Sequence, residues 1–344
     1  MTSSGPADPP VARPTLRDVA EKVGVSPKTV SRVLNSEPGV SADTTARILE
    51  AIAVLGFQRN DMARLLRVGH SSRTIGLVIE DVGNPFFSAV IRAVEVVARE
   101  RGYLVIAGST DKDPTTERDL IRSLVEKRVE GLLVAPIGDD HRYLLPEVAR
   151  GMPVVFLDRP AQQLDADVVL IDNVDGARQA TTHLIGYGHR RIAMLGDDPK
   201  IYTVPERLRG YQQALAEAGI REDPALIRLG HHDEHAAQRT VVELLAQPDP
   251  PTAIFAGNNR IVVGAMRAIH THPQPVALIG FDDLELAEMF ATPLSVVAHD
   301  SARMGEEAAR LLWRRLDAIP GPTERVLLPT ALIPRGSGEI RPPG

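Results

Sequence analysis

The sequence predicts a small all-α head followed by an α/β region of two doubly wound, parallel-sheet lobes. Three observations predict this division. Apolar residues recur at helical spacing between residues 15 and 56, whereas short continuous apolar runs alternate with amphipathic segments from Thr74 onward. The length of 344 residues suits a small domain joined to a larger unit built from two lobes.

The composition is that of a folded, soluble protein. Hydrophobic residues make up 43% and charged residues 24% of the chain, close to the averages of globular domains. No apolar run approaches the roughly 18 residues needed to span a bilayer, and the first residues lack the basic start and apolar core of a signal peptide. We therefore expect a cytoplasmic protein with no membrane partner. The absence of cysteine excludes disulfides, thiol nucleophiles and thiolate metal sites.

Charge is unevenly distributed along the chain. The whole chain carries a net charge of -6, but residues 13–73 contain ten basic and six acidic residues. A basic N-terminal segment on an acidic body favours a polyanionic partner for the head. Short segments also vary by a few charges without functional meaning, so the charge supports this interpretation without establishing it.

The first ordered element is predicted at Thr15. Residues 1–14 contain four prolines among small polar residues, so they are expected to form a flexible tail. Thr15 can cap a first helix that Gly24 ends, with Asp18 in the first turn to favour the helix dipole. The apolar positions of this helix are Leu16, Val19, Ala20 and Val23.

Two further helices complete the predicted head. Ser26 can cap the second helix, and Pro27 takes a first-turn position where its missing N–H costs nothing. A third helix is predicted from a Ser41 cap to a Gly56 stop. The apolar positions are Val30, Val33 and Leu34 in the second helix and Ile48, Leu49, Ile52 and Leu55 in the third. These stripes let the three helices pack around one small core.

Short apolar runs from Thr74 onward are predicted to be β-strands. They include residues 75–79, 104–107, 131–135, 154–157, 191–195, 253–256 and 276–279. Continuous apolar runs are typical of strands covered on both faces, and hence of parallel sheets. So many strands favour two doubly wound lobes over one oversized sheet, with a ligand cleft between the lobes.

These signals predict the domain organisation. The expected parts are a tail at 1–14, a head at 15–58, a linker at 59–72, a two-lobed domain at 73–335 and a second tail at 336–344. The first lobe is expected at about 73–172 with a return segment near 300–325. The second lobe is expected at about 173–297 with the C-terminal strand.

The most specific stretch is Thr15–Asn35, which reads TLRDVAEKVGVSPKTVSRVLN. It resembles the helix-turn-helix of the LacI/GalR family of bacterial transcription regulators, and the resemblance covers the chain from Thr15 to about Arg335. Further motifs follow in the family's order: Gly39-Val-Ser41, Leu55-Gly-Phe57, Asn84-Pro-Phe-Phe87, Asp172-Asn173, Gly188-His-Arg-Arg-Ile192 and Gly280-Phe-Asp-Asp283. The resemblance implies a helix-turn-helix head and a periplasmic-binding-protein-like domain that binds an effector between its lobes.

The second helix resembles the family's recognition helix. Residues off its apolar stripe lie near the end that such a helix inserts into the major groove of DNA. The Arg32 fork matches guanine O6 and N7, a contact worth ~1–3 kcal/mol of discrimination; the alternative is a solvated surface arginine. The resemblance implies DNA contacts in the head from Thr15, Ser26, Pro27, Lys28, Thr29, Ser31, Arg32 and Asn35.

Residues 60–67 resemble the family's hinge helix, which in relatives folds on DNA and wedges a leucine into the minor groove at the operator centre. Leu66 matches that leucine, Ala63 matches the residue against the groove floor, and Arg64 matches a basic residue of the same helix. Such wedges unstack a base step at a cost of a few kcal/mol and bend the DNA. Leu65 departs from the small polar residue that is more usual there. The alternative is that Leu65 and Leu66 are linker residues packed on the effector domain.

The resemblance also implies an effector site. The matching positions are Asn84, Phe86, Phe87, Asp158, Arg159, Asn173, Arg207, Asn258 and Asp282. Carboxylates and amides can exchange hydrogen bonds with hydroxyls, an arginine can hold an oxygen, and a phenylalanine face can cover a sugar ring. Core packing is the alternative for one of Phe86 and Phe87. Asn259 departs from a family aspartate.

The resemblance implies a sequence-specific DNA-binding transcription regulator, with repression as the expected sign. It is expected to bind double-stranded DNA at a near-palindromic operator as a homodimer and to respond to a small-molecule effector, a sugar or related metabolite. A solute-binding protein of a transporter would share the two lobes, but it would need an export signal and no helix-turn-helix.

An enzyme of phosphate-sugar metabolism is the other alternative. It would need a base, a nucleophile or a metal site. The sequence holds no phosphate-binding loop, dinucleotide glycine motif or nucleophile elbow. The run from His231 to His235 lacks the His-Glu-x-x-His spacing of a zinc site. We therefore expect no enzymatic activity, no cofactor and no metal.

Overall fold

The computed structural model describes residues 14–35, 37–57, 71–231 and 233–343. The chain divides into two compact units, residues 1–72 and 73–344. The expected hinge-helix residues Ala63, Arg64 and Leu66 lie outside the described residues. Within the described ranges, no helix combines the length and the apolar character that a membrane crossing requires.

Three helices build the described part of the first unit: α1 (Leu16–Val23), α2 (Pro27–Leu34) and α3 (Ala42–Leu55). The predicted caps are confirmed. The side chains of Thr15, Ser26 and Ser41 each accept a backbone N–H of the first turn. Gly24 and Gly56 end α1 and α3 with φ of +73° and +63°, the left-handed conformation that glycine adopts without steric cost.

The three helices enclose a small apolar core. Its buried members are Val19, Ala20, Val23, Val30, Ile48 and Ala51. Arg47 of α3 donates to the carbonyl of Val23 at 2.9 Å and so satisfies the end of α1. Leu49 was predicted to share the apolar stripe of α3 but is 53% exposed. It follows the buried Ile48 directly and therefore lies about 100° further around the helix axis.

The second unit contains two sheets, each with six strands in the described part of the chain. The first lobe holds β1 (Thr74–Ile79), β2 (Leu104–Ser109), β3 (Leu132–Val134), β4 (Val154–Leu157), β5 (Asp167–Ile171) and β11 (Arg325–Leu328). The second lobe holds β6 (Ile192–Leu195), β7 (Ile227–Arg228), β8 (Ala253–Ala256), β9 (Ala277–Phe281), β10 (Ser295–His299) and β12 (Thr330–Ile333). The strand orders are β11-β5-β4-β3-β1-β2 and β12-β10-β9-β8-β6-β7.

The predicted parallel sheets are confirmed with one exception. All neighbouring strands of the first lobe are parallel, and in the second lobe β12 runs antiparallel to β10. The helices between the strands are α4 (Pro85–Glu100), α5 (Pro114–Glu126), α6 (Leu145–Ala149), α7 (Asn173–Gly186), α8 (Thr203–Glu217), α9 (Glu234–Leu245), α10 (Asn259–His270) and α11 (Ser301–Leu316). This alternation of strand and helix gives each lobe its doubly wound form.

The chain passes between the lobes three times in this unit. It leaves the first lobe after β5, returns from β10 through α11, and crosses again at Pro329 between β11 and β12. Pro329 alone separates β11 from β12, so the chain passes directly from one sheet to the other, where β12 pairs antiparallel with β10. One apolar core continues from one lobe into the other, and it includes both Ile75 and Ile192.

Two expectations need correction. The apolar run at 104–107 was expected to be covered on both faces, but β2 is an edge strand on which Leu104 is 71% and Ile106 39% exposed. Residues 336–344 were expected to be a tail, but Ser337 donates to the carbonyl of Leu278 at 2.6 Å and accepts the N–H of Ser295 at 2.8 Å. One hydroxyl thus bonds the backbone of two strands, a contact that cannot be inferred from the composition of the segment.

Candidate functional site

A cleft opens where the carboxyl ends of the strands of both sheets face each other. The space between its walls, up to the open mouth, is about 570 Å³. Its walls are formed by Glu80, Asn84, Phe86, Phe87, Lys112, Asp158, Arg159, Ile171, Asp197, Ile201, Thr203, Val204, Arg207, Gly257, Asn258, Asn259, Arg260, Asp282 and His299. Ligands of open α/β sheets bind at this edge.

Two aspartates occupy equivalent positions in the two lobes. Asp158 directly follows β4 and Asp282 directly follows β9. Both have left-handed backbones, with φ of +66° and +73°, although neither is glycine. The N–H of Asp158 donates to Val169 at 2.9 Å, and that of Asp282 donates to Val297 at 3.0 Å. Each backbone is therefore fixed to the neighbouring strand, and non-glycine residues in this conformation concentrate at functional sites.

The two carboxylates differ electrostatically. Burial raises the pKa of Asp158 above its ordinary value, although the charges of Arg159 and Arg207 oppose this. Burial would also raise the pKa of Asp282, but a hydrogen bond from His299 and the charge of Arg207 outweigh it, so the pKa is lowered. The His299 Nε2 lies 3.0 Å from Asp282 Oδ1. Asp282 is therefore the firmer anion and acceptor of the pair.

Arg207 of α8 is a buried residue of the cleft wall that interacts with the charges of both carboxylates. Its Nε donates to Asn173 Oδ1 at 2.8 Å, and one terminal nitrogen donates to the Gly257 carbonyl. Its guanidinium carbon lies 3.7 Å from the centre of the Phe281 ring, in cation–π geometry. Burial lowers the pKa of Arg207, against the raising effect of the Asp282 and Asp158 charges. These contacts hold the Arg207 guanidinium in one orientation. The two carboxylates reduce the free-energy cost of keeping it charged in a buried position.

A second charged network joins the lobes. Arg159 pairs with Glu80 at 2.5 Å and with Asp158 at 3.1 Å, all within the first lobe. The Lys112 ammonium lies 2.5 Å from Asp197 of the second lobe and 3.6 Å from Glu80. Lys112 therefore bridges the cleft and connects the two sets of acids.

Two asparagines that cap helices line the cleft, one from each lobe, and the residue after the second contacts the first. Asn84 caps α4 by accepting the N–H of Phe86 at 3.1 Å, and Asn258 caps α10 by accepting that of Ile261 at 2.8 Å. The Asn259 side chain donates to Asn84 Oδ1 at 2.7 Å. In addition, Arg260 forms an ion pair with Asp81 of the opposite lobe. The lobes are thus linked by polar contacts on more than one side of the cleft.

Phe86 and Phe87 have different environments. Phe87 is buried in the apolar core, whereas Phe86 is half-buried at the cleft wall. The two ring centres are 4.7 Å apart, and Phe86 meets the His299 ring edge-on at 5.3 Å. Both residues line the cleft, and Phe86 is the more exposed of the two.

The cleft unites eight of the nine residues named from the sequence. The ninth, Asn173, does not belong to the cleft wall but supports Arg207 from behind. The charged and polar wall residues not named from the sequence are Glu80, Lys112, Asp197, Thr203, Asn259, Arg260 and His299. Of these, Asn259 had been noted only as a departure from the family pattern.

The head exposes a polar surface on α2. Pro27, Lys28 and Arg32 are exposed, whereas Ser31 is half-buried. The hydroxyls of Ser26 and Thr29 lie 2.9 Å apart, and the Thr15 hydroxyl donates to Asp18 at 2.8 Å. These three hydroxyls serve the caps of their helices in this structure.

Glu37 lies beside two of the expected DNA-contacting residues. Its carboxylate accepts from Asn35 Nδ2 at 2.9 Å and lies 3.8 Å from Arg32 Nε. The Arg32 and Glu37 side chains are both about half exposed, so this ion pair is weak and easily exchanged for another anion.

Both units match known protein families. A family model described as bacterial regulatory proteins, lacI family, matches residues 15–60, and one described as a periplasmic binding protein-like domain matches residues 181–338. The chain is 32% identical to the HTH-type transcriptional repressor PurR of Mannheimia succiniciproducens, over 94% of this chain and 98% of that protein. It is 33% identical to the ribose operon repressor of Haemophilus influenzae, over 93% and 97%.

A solved structure agrees with these relatives. The lac repressor dimer bound to operator and the anti-inducer ONPF is 27% identical, with a TM-score of 0.79, 95% of this chain covered and 99% of that chain. The relatives are repressors and not enzymes by name, and they match over almost their whole length. The chain belongs to the lacI family of bacterial regulatory proteins: it is a transcription regulator with a helix-turn-helix head and a periplasmic-binding-protein-like domain.

Proposed function

We propose that this regulator represses from a near-palindromic operator as a homodimer, and that a small, neutral, hydroxyl-rich effector bound in the cleft sets its operator affinity. The observation that carries the proposal is the charge balance of the cleft wall. Four acids, Glu80, Asp158, Asp197 and Asp282, stand with four bases, Lys112, Arg159, Arg207 and Arg260. Paired charges of both signs offer donors and acceptors to hydroxyls and leave no net charge to attract an ionic ligand.

The expected effector is a sugar or a related polyol. The names of the relatives include a ribose operon repressor, and the half-buried Phe86 can cover one apolar ring face. The carboxylate of Asp282 and the amide of Asn258 would accept and donate from the second lobe, with Asp158 and Arg159 opposite. A polyanion would need more unpaired positive charge than this wall provides.

One experiment tests the whole proposal. Operator sequences are selected from random duplex DNA with the full chain, and binding to the selected duplex is measured by fluorescence anisotropy with and without each member of a polyol panel. We expect one near-palindromic sequence and one class of polyol that changes its affinity. Equal affinity for selected and random duplexes would refute the regulator, and indifference to every polyol would refute the effector class.

Arg32 is proposed to read a base. Replacing it with alanine is expected to weaken binding to the selected operator roughly tenfold to a hundredfold, because one bidentate contact to guanine is lost. Preference at one symmetric base pair should relax, while binding to random DNA falls less. Anisotropy with operators mutated at each position measures this. Lys22→Ala, at an exposed position on α1, is the matched control. If Arg32→Ala weakened binding to operator and to random DNA equally, Arg32 would contact only phosphate.

We extend the proposal to the segment between the units. Residues 59–72 are proposed to form a hinge helix and linker, with Ala63, Arg64 and Leu66 in the minor groove at the operator centre. The support is the resemblance of residues 60–67 and the match to a lac repressor bound to its operator. A regulator that binds chromosomal DNA also belongs in the cytoplasm.

The homodimer is proposed to cover the exposed edge of the first lobe. Leu104 and Ile106 lie on the same face of β2, because side chains alternate along a strand. Exposed apolar edge strands are liable to pair with other chains, and a second copy would remove this exposure. The related lac repressor was solved as a dimer.

Replacing Leu104 with lysine is expected to shift the chain from dimer to monomer at micromolar concentration. A lysine on an edge strand opposes pairing because its ammonium must be desolvated. Sedimentation velocity measures the shift. Val242→Lys is the control, because it also replaces an exposed apolar side chain with lysine, but on α9, and it should leave the dimer intact. Dissociation by both variants, or by neither, would contradict this interface.

A further inference from the structure

His141 connects two loops beside the cleft and is fully buried. Its backbone N–H donates to the carbonyl of Gln162 at 3.2 Å, and the Gln162 N–H donates to the Nδ1 of the His141 ring at 3.0 Å. This reciprocal pair of bonds, which we call the His141 staple, ties the loop after β3 to the loop after β4. The second of these loops carries Asp158 and Arg159 into the cleft.

The ring also contacts the strand that leads into this loop. The centres of the His141 and Phe156 rings are 5.9 Å apart, in edge-to-face geometry. Phe156 precedes Asp158 by two residues, and Gln162 follows Arg159 by three. His141 therefore contacts the chain on both sides of the two cleft residues. The left-handed backbone of Asp158 costs free energy and persists only where surrounding contacts impose it.

The staple requires one protonation state of the ring. Because the Gln162 N–H donates to Nδ1, this nitrogen must carry a lone pair, so a neutral ring holds its proton on Nε2. The Nε2 faces Glu117, with 3.6 Å between Nε2 and Oε1. The Glu117 carboxylate accepts hydrogen bonds from the Tyr143 hydroxyl and the Ile137 N–H, each at 2.6 Å. These partners hold in place the carboxylate that faces Nε2, although the distance of 3.6 Å is too long for a hydrogen bond between them.

Electrostatics agrees with this geometry. Burial lowers the pKa of His141, against the raising effects of backbone hydrogen bonds and of the Asp140 charge. The ring is therefore neutral at pH 7. A protonated ring would present an N–H to the Gln162 N–H, and the staple would break.

We propose that His141, as its neutral Nε2–H tautomer, is a positioning residue for effector binding that holds Asp158 and Arg159 in place through the staple and the contact with Phe156. The proposal rests on the effector-binding role proposed for the cleft. His141 does not line the cleft and would not touch the effector.

The test compares two replacements in the full chain without any effector. His141→Leu fills similar space but accepts no hydrogen bond, whereas His141→Asn keeps an acceptor close to the position of Nδ1. Residue-resolved amide hydrogen exchange is measured at pH 7. We expect the Gln162 and Asp158 amides to exchange roughly tenfold faster in His141→Leu, and His141→Asn to restore most of the protection.

His189→Leu is the matched control. His189 is equally buried in the second lobe, and its ring bonds Thr252 at 2.8 Å and the Ile340 carbonyl at 2.7 Å. Its loss should leave the Asp158 and Gln162 amides protected. Faster exchange at Gln162 alone, or the same exchange in both His141 variants, would overturn the positioning role.

A second measurement uses the unaltered protein. Nitrogen-15 chemical shifts of the His141 ring should show the neutral Nε2–H tautomer at pH 7. The Nδ1–H tautomer or a charged ring would overturn the proposal even if His141→Leu failed to fold. Because neither measurement involves an effector, their failure is separate from a failure of the proposed cleft function, which the polyol panel tests.

Discussion

Replacing Arg207 with methionine is expected to lower the free energy of unfolding of the two-lobed unit by about 3–5 kcal/mol, the usual cost of leaving a buried charge without its compensating partner. The charges of the buried Asp158 and the half-buried Asp282 stabilise the charged Arg207 guanidinium, which also donates to Asn173 and the Gly257 carbonyl. Methionine fills most of the volume but supplies neither charge nor donors. The loss would therefore be electrostatic rather than a cavity effect.

Urea unfolding followed by tryptophan fluorescence measures this change. The chain has a single tryptophan, and Trp313 belongs to the apolar core that continues from one lobe into the other. Arg209→Met, two residues along the same helix, is the matched control. The Arg209 side chain is 55% exposed and pairs with Glu206 at 2.7 Å, so its loss should cost less than about 1 kcal/mol. An equal loss of unfolding free energy in both variants would show that the buried Arg207 contributes no more to stability than an exposed arginine.

Much of the fold follows from short-range signals. Thr15, Ser26 and Ser41 cap the helices of the head as their sequence contexts predicted, because capping depends only on a few neighbouring residues. All seven apolar runs became strands, whereas β5, β7, β10 and β11 were not recognised, and β12 was expected only as a C-terminal strand without stated bounds. Strands of two to five residues at sheet edges, or with polar ends, carry little periodic signal.

Cleft residues that directly follow a strand recognised in the sequence could be predicted. Glu80 and Asp197 follow β1 and β6, so the rule that places ligands at the carboxyl ends of strands could have identified both. Lys112 could not be identified in this way. It reaches Asp197 from a turn in which Asp111 and Lys112 both have positive φ. Neither position holds glycine or asparagine, the residue types that would have indicated this conformation in the sequence.

His299 was missed for a related reason. It ends β10, a strand that was not recognised, and its role depends on contact with Asp282 across the sheet. For Asn173 the family resemblance identified the residue but not its function. Its amide lies behind Arg207 instead of in the cleft wall, and only the packing of α7 against α8 determines that.

The second large effect is expected at Asp282, where asparagine should lower effector affinity roughly tenfold to a hundredfold and leave operator affinity without effector unchanged. Asparagine is preferred over alanine because the backbone at this position has φ of +73°, a conformation that asparagine adopts more readily than alanine. It also keeps an oxygen that can accept from His299. The substitution therefore removes the negative charge with little change in shape.

The loss of affinity follows from the state of the carboxylate. His299 and Arg207 lower the pKa of Asp282 against the effect of burial, so the wild-type side chain is an anion that accepts hydrogen bonds from hydroxyls. Charge-assisted hydrogen bonds are worth roughly 1.5–3 kcal/mol, which corresponds to the predicted change in affinity. Isothermal titration with the polyol identified for the wild type measures it, and anisotropy measures operator binding with and without that polyol.

Asp283→Asn separates this effect from a general loss of charge after β9. Asp283 is adjacent in sequence, but its carboxylate pairs with Arg335 at 2.7 and 2.8 Å instead of lining the cleft. We expect this variant to bind the polyol and respond to it like the wild type. Operator affinity should stay the same in both variants, since the expected DNA contacts lie within residues 15–67. A normal response in Asp282→Asn would mean that the effector is recognised elsewhere in the molecule.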